Sequence, residues 1–517
     1  MLHTATDLPP KKSIDRRLSI ETVLQILALL IVTSIFLKAI IDIDINYDPW
    51  WYHIPFAARI WGIVPKELFI GDEKWFEPRY QGFPLLAHFL QGFLWRITDR
   101  VQSTNLVGFL SLIFYLVFLK SYFRVPLYLS AIALLTIPLV LAHSTSSYVD
   151  LFGNIGASVL VMMTYNLYRR SQLPSKGELF ILVLGAAIAA NTKTQLQILV
   201  FFICGFVVIR LGWLYFRHSS FNFKRSLKIV SICILAAVLI FATPVKNTVV
   251  YGNPLYPVKV EIAGTVLNHK LVPEAYQDGN RPVKWLRSIL EIDKARWTVD
   301  QWSDDPEKLR MGGFFGAYVV FNLLLLVGLS IAELWRNRIS KAETSRDAST
   351  ALLTVLVMSI VPANFPQSHE LRYFIFWMIS LVSLNLYLIS TPRTALPRWR
   401  WLQPKYMGLV CLVFLTIVLS NMGKVYAKPS FYNLETQIAM GVKPELLSQI
   451  EPETRNCLIS RHRSDPLKAP MAALKWAFLY SSPFHPEIDY PYAIQTAFNP
   501  ESCGELKQIP QNVKLNY

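Results

Sequence analysis

The stretch TVLQILALLIVTSIFLKAII, residues 22–41, is followed directly by DIDINYDPWWYHIP, residues 42–55. The first part is mainly apolar, with Lys38 as its one charged residue, and has the length needed to cross the ~30 Å hydrocarbon core of a membrane. The second part places the carboxylate of Asp48, the imidazole of His53 and four aromatic rings where such a helix emerges into water. This junction decides the class of fold, because similar apolar runs recur along the chain.

Composition agrees with this class. The chain has 517 residues, of which 53% are hydrophobic and 17% are charged, whereas a soluble protein usually carries about 25% charged residues. Residues 1–21 are polar and basic, and no small-residue cleavage site follows the first apolar run, so 22–41 is predicted to be a retained helix. We predict an all-α polytopic membrane protein, in which the net charge of +16 reflects cytoplasmic loops rather than nucleic-acid binding.

Eleven membrane helices are predicted, and the basic residues orient them. If residues 82–98 lie on the membrane rather than across it, the basic clusters near Arg169, Arg217, Arg338 and Arg398 fall on the side of the N-terminus. Positive loops mark the cytoplasmic side, so the N-terminus is predicted inside and the C-terminus outside. The predicted helices are 22–41, 104–119, 126–143, 148–168, 178–191, 195–211, 227–244, 313–334, 349–363, 371–390 and 405–422.

Three segments follow from this topology: a cytoplasmic segment 1–21, a membrane domain 22–423 and a small extracytoplasmic domain 424–517. The membrane domain has long outer loops at 42–103 and 245–312. In the first loop, Asp48 is predicted to cap an in-plane helix that places Trp50, Ile54, Ala57 and Trp61 on one interfacial face. Residues 82–98 are predicted to form a second in-plane helix or a re-entrant one. Cys457 and Cys503 lie in the tail, and the sequence leaves open whether they pair.

Seven ionisable residues share the outer end of this topology although they are far apart in sequence. Charges near the hydrocarbon are costly and usually functional, which makes the group a candidate site. Its members are Asp48, His53, Asp150, Lys193, His369, Glu370 and Arg372.

Most of them also have a purely structural interpretation. Asp48 is placed to cap a helix, and Asp150 has the spacing of a capping box with Ser147. Lys193 is placed to extend from a helix end toward water, and Glu370 with Arg372 is placed to form an interfacial ion pair. Spacing along one helix gives His53 and His369 no metal-binding partner.

The ordered motifs resemble bacterial glycosyltransferases of the GT-C fold, a group related to dolichyl-phosphate-mannose protein mannosyltransferases and the lipid A aminoarabinose transferase. Asp48, Tyr52, His53 and Pro55 match the first motif of that group, in the pattern Asp-x-x-x-Tyr-His-x-Pro. The later motifs are Tyr148-Val149-Asp150-Leu151, Lys193, Gly252-Asn253-Pro254-Leu255-Tyr256-Pro257 and Glu370-Leu371-Arg372-Tyr373. The series spans residues 22–390 and implies a GT-C-like bundle.

The resemblance implies that a sugar on a polyprenyl phosphate is moved to a lipid, glycan or protein hydroxyl, with inversion, at the outer face of a bacterial inner membrane. Asp48 is the implied base, and Asp150 is either a second candidate for that role or a residue that orients the acceptor. The implied substrate-binding residues are His53, Lys193, His369, Glu370, Arg372, Trp50 and Trp51. One departure is Asp48-Pro49-Trp50, which resembles the start of oligosaccharyltransferase catalytic subunits and leaves open a divalent metal, Mg²⁺ or Mn²⁺, at Asp48.

Two other interpretations remain. A transporter or flippase of lipid-linked sugars would also hold charges in a cavity, but near the bilayer midplane, on interrupted helices and often with internal repeats. A non-catalytic scaffold of the same fold is the second. The clustering of charges at the outer face and the lack of a visible repeat favour the enzyme.

Overall fold

The computed structural model describes most of the membrane domain and parts of the tail. The described residues are 19–46, 48–64, 77–218, 223–272, 279–290, 313–340, 346–391, 400–442, 444–451, 454, 456–459, 478–480, 482–485, 494–497, 504–505 and 507–510.

Helices dominate the described residues. They are α1 Ile20–Ile41, α2 Ile54–Ile60, α3 Glu77–Gly82, α4 Leu86–Thr98, α5 Leu106–Phe123, α6 Leu127–Leu135, α7 Pro138–His143, α8 Asp150–Arg169, α9 Lys176–Ala190, α10 Thr194–His218, α11 Phe223–Ile240, α12 Ala242–Tyr251, α13 Arg281–Leu290, α14 Gly316–Ser340, α15 Asp347–Asn364, α16 Ile375–Ser390, α17 Pro404–Tyr426, α18 Leu434–Gly441 and α19 Pro444–Leu447. A π-helical turn covers Pro49–His53, and 3-10 turns cover Val101–Asn105, Leu371–Phe374, Arg400–Leu402, Phe478–Tyr480 and Ser482–Phe484.

Five short strands complete the described elements. Strands β1 Glu261–Ile262 and β2 Thr265–Val266 form an antiparallel pair between α12 and α13. Strands β3 Asn456–Ile459, β4 Ile494–Ala497 and β5 Lys507–Pro510 form a parallel sheet in the order β4-β3-β5 within the tail. The fold is therefore mostly helical rather than all-α.

Within the described residues, seven helices are long and apolar enough to cross a membrane: α1, α5, α10, α14, α15, α16 and α17. An eighth crossing results if α11 and α12, which meet at an angle of 76°, count as one span. The chain is a multi-pass integral membrane protein. For the other predicted crossings, the helices are short or polar: α6 and α7 are separated by a break, and α9 has 15 residues. The count of eleven stays a prediction.

Helix α8 lies at the centre of the bundle and is surrounded by other helices. Sixteen of its twenty residues are buried, and it packs against α5, α9, α10, α15 and α16. Because protein rather than lipid surrounds it, α8 carries Gly, Asn and Ser. A Cβ atom on Gly156 would lie 2.8 Å from the Gly185 carbonyl oxygen of α9, so glycine is what permits this close helix contact.

The segment between α1 and α5 folds over one end of the bundle. Helix α4 has 13 residues, about 20 Å, which is shorter than a membrane core and fits the prediction that 82–98 does not cross. Phe89, Phe93 and Ile97 are exposed along one face of α4, and the Trp61 ring lies 5.0 Å from that of Phe89. This face has the amphipathic character of a helix at a membrane surface.

The predicted interfacial face at 50–61 is wrong for three of its four residues, whereas Trp61 lies beside the exposed face of α4. Trp50, Ile54 and Ala57 are fully buried, at 0–1% exposure, because Trp50 and Ile54 pack with residues of the tail and Ala57 faces Gly92 of α4. The Trp50 ring packs 5.8 Å from that of Phe484, and its indole N–H donates to the Asp44 carbonyl at 2.5 Å. Periodicity identified the apolar residues but not the surface against which they pack.

The tail attaches to the end of α1 by polar contacts as well. One oxygen of the Asp42 carboxylate accepts hydrogen bonds from Lys38 Nζ at 2.6 Å and from the Ser430 backbone N–H and hydroxyl at 2.8 Å. Helix α17 passes through the predicted boundary at 423/424 and ends at Tyr426. Cys457 is disulfide-bonded, and Cys503 lies outside the described residues.

Candidate functional site

Asp48 lies at the start of the π-helical turn Pro49–His53, but its side chain does not cap that turn. Its Oδ2 instead accepts a hydrogen bond from Arg372 Nη1 at 2.7 Å, across 324 residues of sequence. Both side chains remain partly accessible, at 14% and 16% exposure. The capping interpretation is therefore wrong, and the carboxylate belongs to a long-range ion pair.

Arg372 is held by its backbone and by two further side chains. It lies in the 3-10 turn that precedes α16, where the Asn154 side chain donates to the Arg372 carbonyl at 3.2 Å and accepts from the Phe376 N–H at 2.9 Å. Glu370 Oε2 lies 3.5 Å from Arg372 Nε, and Arg372 Nη2 donates to the Tyr373 hydroxyl at 3.4 Å. The predicted Glu370–Arg372 pair is present, but it is only one part of this arrangement.

Asp150 and Lys193 form a second ion pair that lies deeper. Lys193 Nζ donates to Asp150 Oδ1, with side-chain exposures of 8% and 0%. Burial lowers the pKa of Lys193, and the nearby Arg372 adds to this effect while Asp150 opposes it. A lysine that only extended toward water would not be buried, so that interpretation is wrong.

The capping box predicted for Asp150 is also absent. The Ser147 hydroxyl donates to Asn105 Oδ1 at 2.6 Å and lies 2.6 Å from the Thr104 hydroxyl, and no side-chain hydrogen bond caps the N-terminus of α8. The Asp150 carboxylate is thus directed to Lys193.

The Lys193 loop, which joins α9 to α10, is anchored by Asn191. Its amide donates to the Ile240 carbonyl at 3.0 Å, and its side-chain oxygen accepts from the Thr243 backbone N–H at 3.2 Å. These bonds satisfy backbone groups freed by the bend between α11 and α12. The bend therefore helps to position the cation.

Aromatic rings join the two ion pairs into one cluster. Lys193 Nζ lies 4.3 Å from the centroid of the Tyr373 ring, and the Arg372 guanidinium carbon lies 5.2 Å from the same centroid. The Tyr148 ring lies 5.8 Å from the Arg372 guanidinium. Ring faces attract cations, so two like charges are kept close together beside the carboxylates of Asp48 and Asp150.

A pair of buried histidines lies behind this cluster. His53 Nδ1 and His88 Nε2 are 2.9 Å apart, and the centroid of the Tyr52 ring lies 4.0 Å from that of the His53 ring, with the two planes tilted by 42°. Burial lowers the pKa of His53 well below its usual value, with His88 as the next cause, and burial with Lys193 lowers the pKa of His88 to about 3. Both rings are neutral near pH 7.

His88 was not among the candidate residues predicted from the sequence, so this contact was missed. A signal was available, because His88 and Gln91 stand three residues apart, on the same side of α4, in an otherwise apolar segment. Gln91 is likewise buried and donates to the Ser147 carbonyl at 2.6 Å. Polar residues on one face of an apolar helix indicated a buried polar neighbour.

The other predicted residues lie around the cluster. The ring of Trp51, which is half-buried, lies 5.4 Å from the Tyr52 ring. His369 is fully buried, and burial together with the charge of Lys284 on α13 lowers its pKa to about 4. Trp50 is fully buried against the tail, so we exclude it from the residues proposed to bind substrate.

The residues around Asp48 do not fit a divalent metal. Its Oδ2 faces the Arg372 guanidinium, whose charge would repel a cation. Across the described part of the chain, no three His, Cys, Asp or Glu side chains converge as a set of metal ligands. No chemical step is therefore assigned to a metal.

No protein-family description matches the sequence, and no curated protein sequence matches it. Among solved structures, the chain is similar to ArnT from Cupriavidus metallidurans bound to undecaprenyl phosphate, with a TM-score of 0.45 and 10% identity over 92% of this chain and 89% of that one. It is also similar to ArnT from the same organism in the apo state, with a TM-score of 0.36 and 9% identity over 94% of each chain. The similarity concerns the overall arrangement of the chain and assigns no role to its side chains.

Proposed function

We propose that this protein is a membrane glycosyltransferase that moves a sugar from a polyprenyl phosphate to a hydroxyl acceptor at the outer face of a bacterial inner membrane. The observation that supports this most is the adjacency of two acid–base pairs, Asp48 with Arg372 and Asp150 with Lys193. They come from four separate parts of the chain, and keeping such charges beside a membrane is costly unless they have a use.

The cations would bind the donor phosphate. Arg372 offers a planar fork of N–H groups suited to two phosphate oxygens, and its partial exposure makes it the first cation that a ligand can reach. Lys193 lies beyond the shared Tyr373 ring and would add a second positive charge. Together they would stabilise the negative charge that develops on the leaving phosphate.

Phosphate binding would also release the base. While Arg372 Nη1 donates to Asp48 Oδ2, that oxygen is engaged by the guanidinium rather than by a substrate hydroxyl. If a phosphate replaces Asp48 on the guanidinium, Glu370 still neighbours Arg372 Nε. The freed Asp48 carboxylate would then face the acceptor hydroxyl.

In the reaction, Asp48 would take the proton of the acceptor hydroxyl as its oxygen forms a bond to the anomeric carbon of the sugar. The bond from that carbon to the phosphate oxygen breaks, and its electron pair leaves with the polyprenyl phosphate, which Arg372 and Lys193 hold. A single displacement of this kind inverts the anomeric centre. Asp150 would keep Lys193 charged and in position.

The test compares cells that lack the gene with cells that carry wild type, Asp48→Asn or the control Asp99→Asn. Asp99 is an exposed carboxylate at the end of α4 and lies outside the cluster. Mass spectrometry of membrane glycolipids and surface glycans first identifies the sugar modification that depends on the gene. We expect Asp48→Asn to lose it at normal protein levels and Asp99→Asn to keep it; normal modification in Asp48→Asn cells would contradict the proposal.

One feature favours the transporter alternative, namely the bend of 76° between α11 and α12, since interrupted helices are typical of transporters. A flippase would carry the lipid-linked sugar across the membrane and form no new glycosidic bond. Proteoliposomes that hold a labelled polyprenyl-phosphate sugar and an acceptor extract separate the two, because only the enzyme releases free polyprenyl phosphate. Lipid movement without that release would favour the transporter.

A further inference from the structure

A cavity lies at the far end of α8 from the charged cluster. Helices α8 and α9 touch at Gly156 and Gly185, and a cavity of about 280 Å³ opens between them beside the loop 170–175 that connects them. Asp150 begins α8 and Arg169 ends it, so at 1.5 Å per residue the cavity is roughly 30 Å from the candidate site. It is a separate feature of the molecule.

Part of the cavity wall is apolar. Met163 and Leu167 of α8 and Leu182 of α9 line it, and all three are at most 6% exposed to solvent. Leu173, in the connecting loop, also lines it and is 42% exposed. This apolar part of the lining suits contact with the hydrocarbon chain of a membrane lipid.

The mouth of the cavity, by contrast, carries both signs of charge. Glu178 Oε1 accepts from Arg170 Nη1 at 2.7 Å and from Asn166 Nδ2 at 3.2 Å, and Glu178 Oε2 accepts from the Ser175 N–H at 2.8 Å. The Arg170 side chain is 45% exposed and that of Glu178 is 16% exposed. A ligand can thus approach a cation and an anion side by side.

We propose that this cavity binds a phospholipid whose head group carries both a phosphate and a primary ammonium group. The phosphate would accept hydrogen bonds from Arg170, the ammonium would donate to Glu178, and an acyl chain would pack on Met163 and Leu182. The end of a membrane helix that carries Arg169 and Arg170 lies where lipid head groups lie. An anionic lipid without an ammonium would leave Glu178 facing negative charge, and a trimethylammonium group cannot donate a hydrogen bond to it.

The binding test uses the purified full-length protein in detergent with dioleoyl phosphatidylethanolamine, phosphatidylcholine or phosphatidylglycerol, and native mass spectrometry counts the bound lipid. We expect phosphatidylethanolamine to bind at least tenfold more tightly than the other two. Soluble phosphoethanolamine is added as a competitor to distinguish a lipid from a free head group. Equal binding of all three lipids, or competition by phosphoethanolamine at the concentration of the lipid, would overturn the proposal.

Three variants locate the site. Glu178→Gln removes the negative charge while glutamine can still close the capping box with Ser175, and Arg170→Gln removes the exposed cation. Each is expected to reduce phosphatidylethanolamine binding about tenfold. Lys176→Gln is the control, since Lys176 is an exposed cation of the same turn that does not line the cavity. Wild-type lipid binding in both Glu178→Gln and Arg170→Gln, or an equal loss in the Lys176→Gln control, would contradict the assignment.

Discussion

Breaking the Asp150–Lys193 ion pair should destabilise the protein more than neutralising both partners together. Asp150→Asn leaves the Lys193 ammonium buried without its carboxylate, at 8% exposure. Removing one partner of a buried ion pair typically costs 3–5 kcal/mol, whereas replacing both is often close to neutral. The double variant Asp150→Asn, Lys193→Met should therefore recover most of the lost free energy of unfolding.

The size of the effect has an upper limit set by chemistry. Lys193 can escape an unpaired buried charge by losing its proton, and from the reference pKa of 10.5 this costs about 5 kcal/mol at pH 7. The Tyr373 ring, 4.3 Å from Nζ, keeps a residual attraction of about 1 kcal/mol. We expect Asp150→Asn to lose about 2–4 kcal/mol.

The assay is reversible unfolding of the purified protein by SDS in mixed micelles, followed by tryptophan fluorescence. Wild type, Asp150→Asn, Lys193→Met and the double variant form a double-mutant cycle. Sugar transfer is measured on the same samples and should stay lost in every variant without Lys193, because the proposed phosphate cation is gone. A double variant whose loss equals the sum of the two single losses would refute the ion-pair reasoning.

Three further predictions concern packing and protonation. Gly156→Val should separate α8 from α9 and lower both expression and melting temperature by a large margin, because even a Cβ at this position would lie 2.8 Å from backbone atoms of α9. The control Gly205→Ala should be neutral, because a Cβ at Gly205 would have no neighbour within 4 Å. In the folded protein the pKa of His88 is lowered to about 3, whereas in the unfolded chain His88 binds a proton below about pH 6.5. The free energy of unfolding should therefore fall as the pH drops from 6.5 toward 4, by up to about 1.4 kcal/mol per pH unit. A smaller fall in His88→Asn would confirm His88 as the source, and an identical fall would exclude it. Trp50→Ala should lower the free energy of unfolding by about 3–5 kcal/mol and make the tail sensitive to limited proteolysis. The control is Trp335→Ala, because Trp335 is 70% exposed; equal protease sensitivity of the two variants would show that the tail does not depend on Trp50.

The two ion pairs explain why the charged residues share one end of the bundle. In each pair a carboxylate lies within hydrogen-bond distance of a cation, and Tyr373 contacts both cations. Low exposure strengthens these interactions relative to water and also makes an unpaired member costly. A ligand that displaces one residue of an ion pair must therefore replace its interaction with the remaining residue. This is the basis of the proposed exchange, in which a phosphate replaces Asp48 on Arg372.

Predictions from the residues succeeded where the physics is local. Apolar runs predicted helices at the positions of α1, α5, α10 and α14 to α17, because a lipid environment requires a continuous apolar segment with internal hydrogen bonds. Capping predictions for Asp48 and Asp150 failed because a long-range cation competes with the nearest backbone N–H groups. The position of each carboxylate at a helix start was compatible with capping, but it did not determine the hydrogen-bond partner of that carboxylate.

The sequence by itself determined that this is a helical membrane protein and that charged residues recur at the ends of its apolar runs, since both depend on segments of about twenty residues. Only the tertiary structure decided that Asp48 pairs with Arg372, that His53 contacts His88 and that Trp50 faces the tail rather than the membrane. The physical reason is that these contacts join chain segments 35 to 434 residues apart, where no periodicity along the chain specifies the neighbour. Packing of the helices supplies that information.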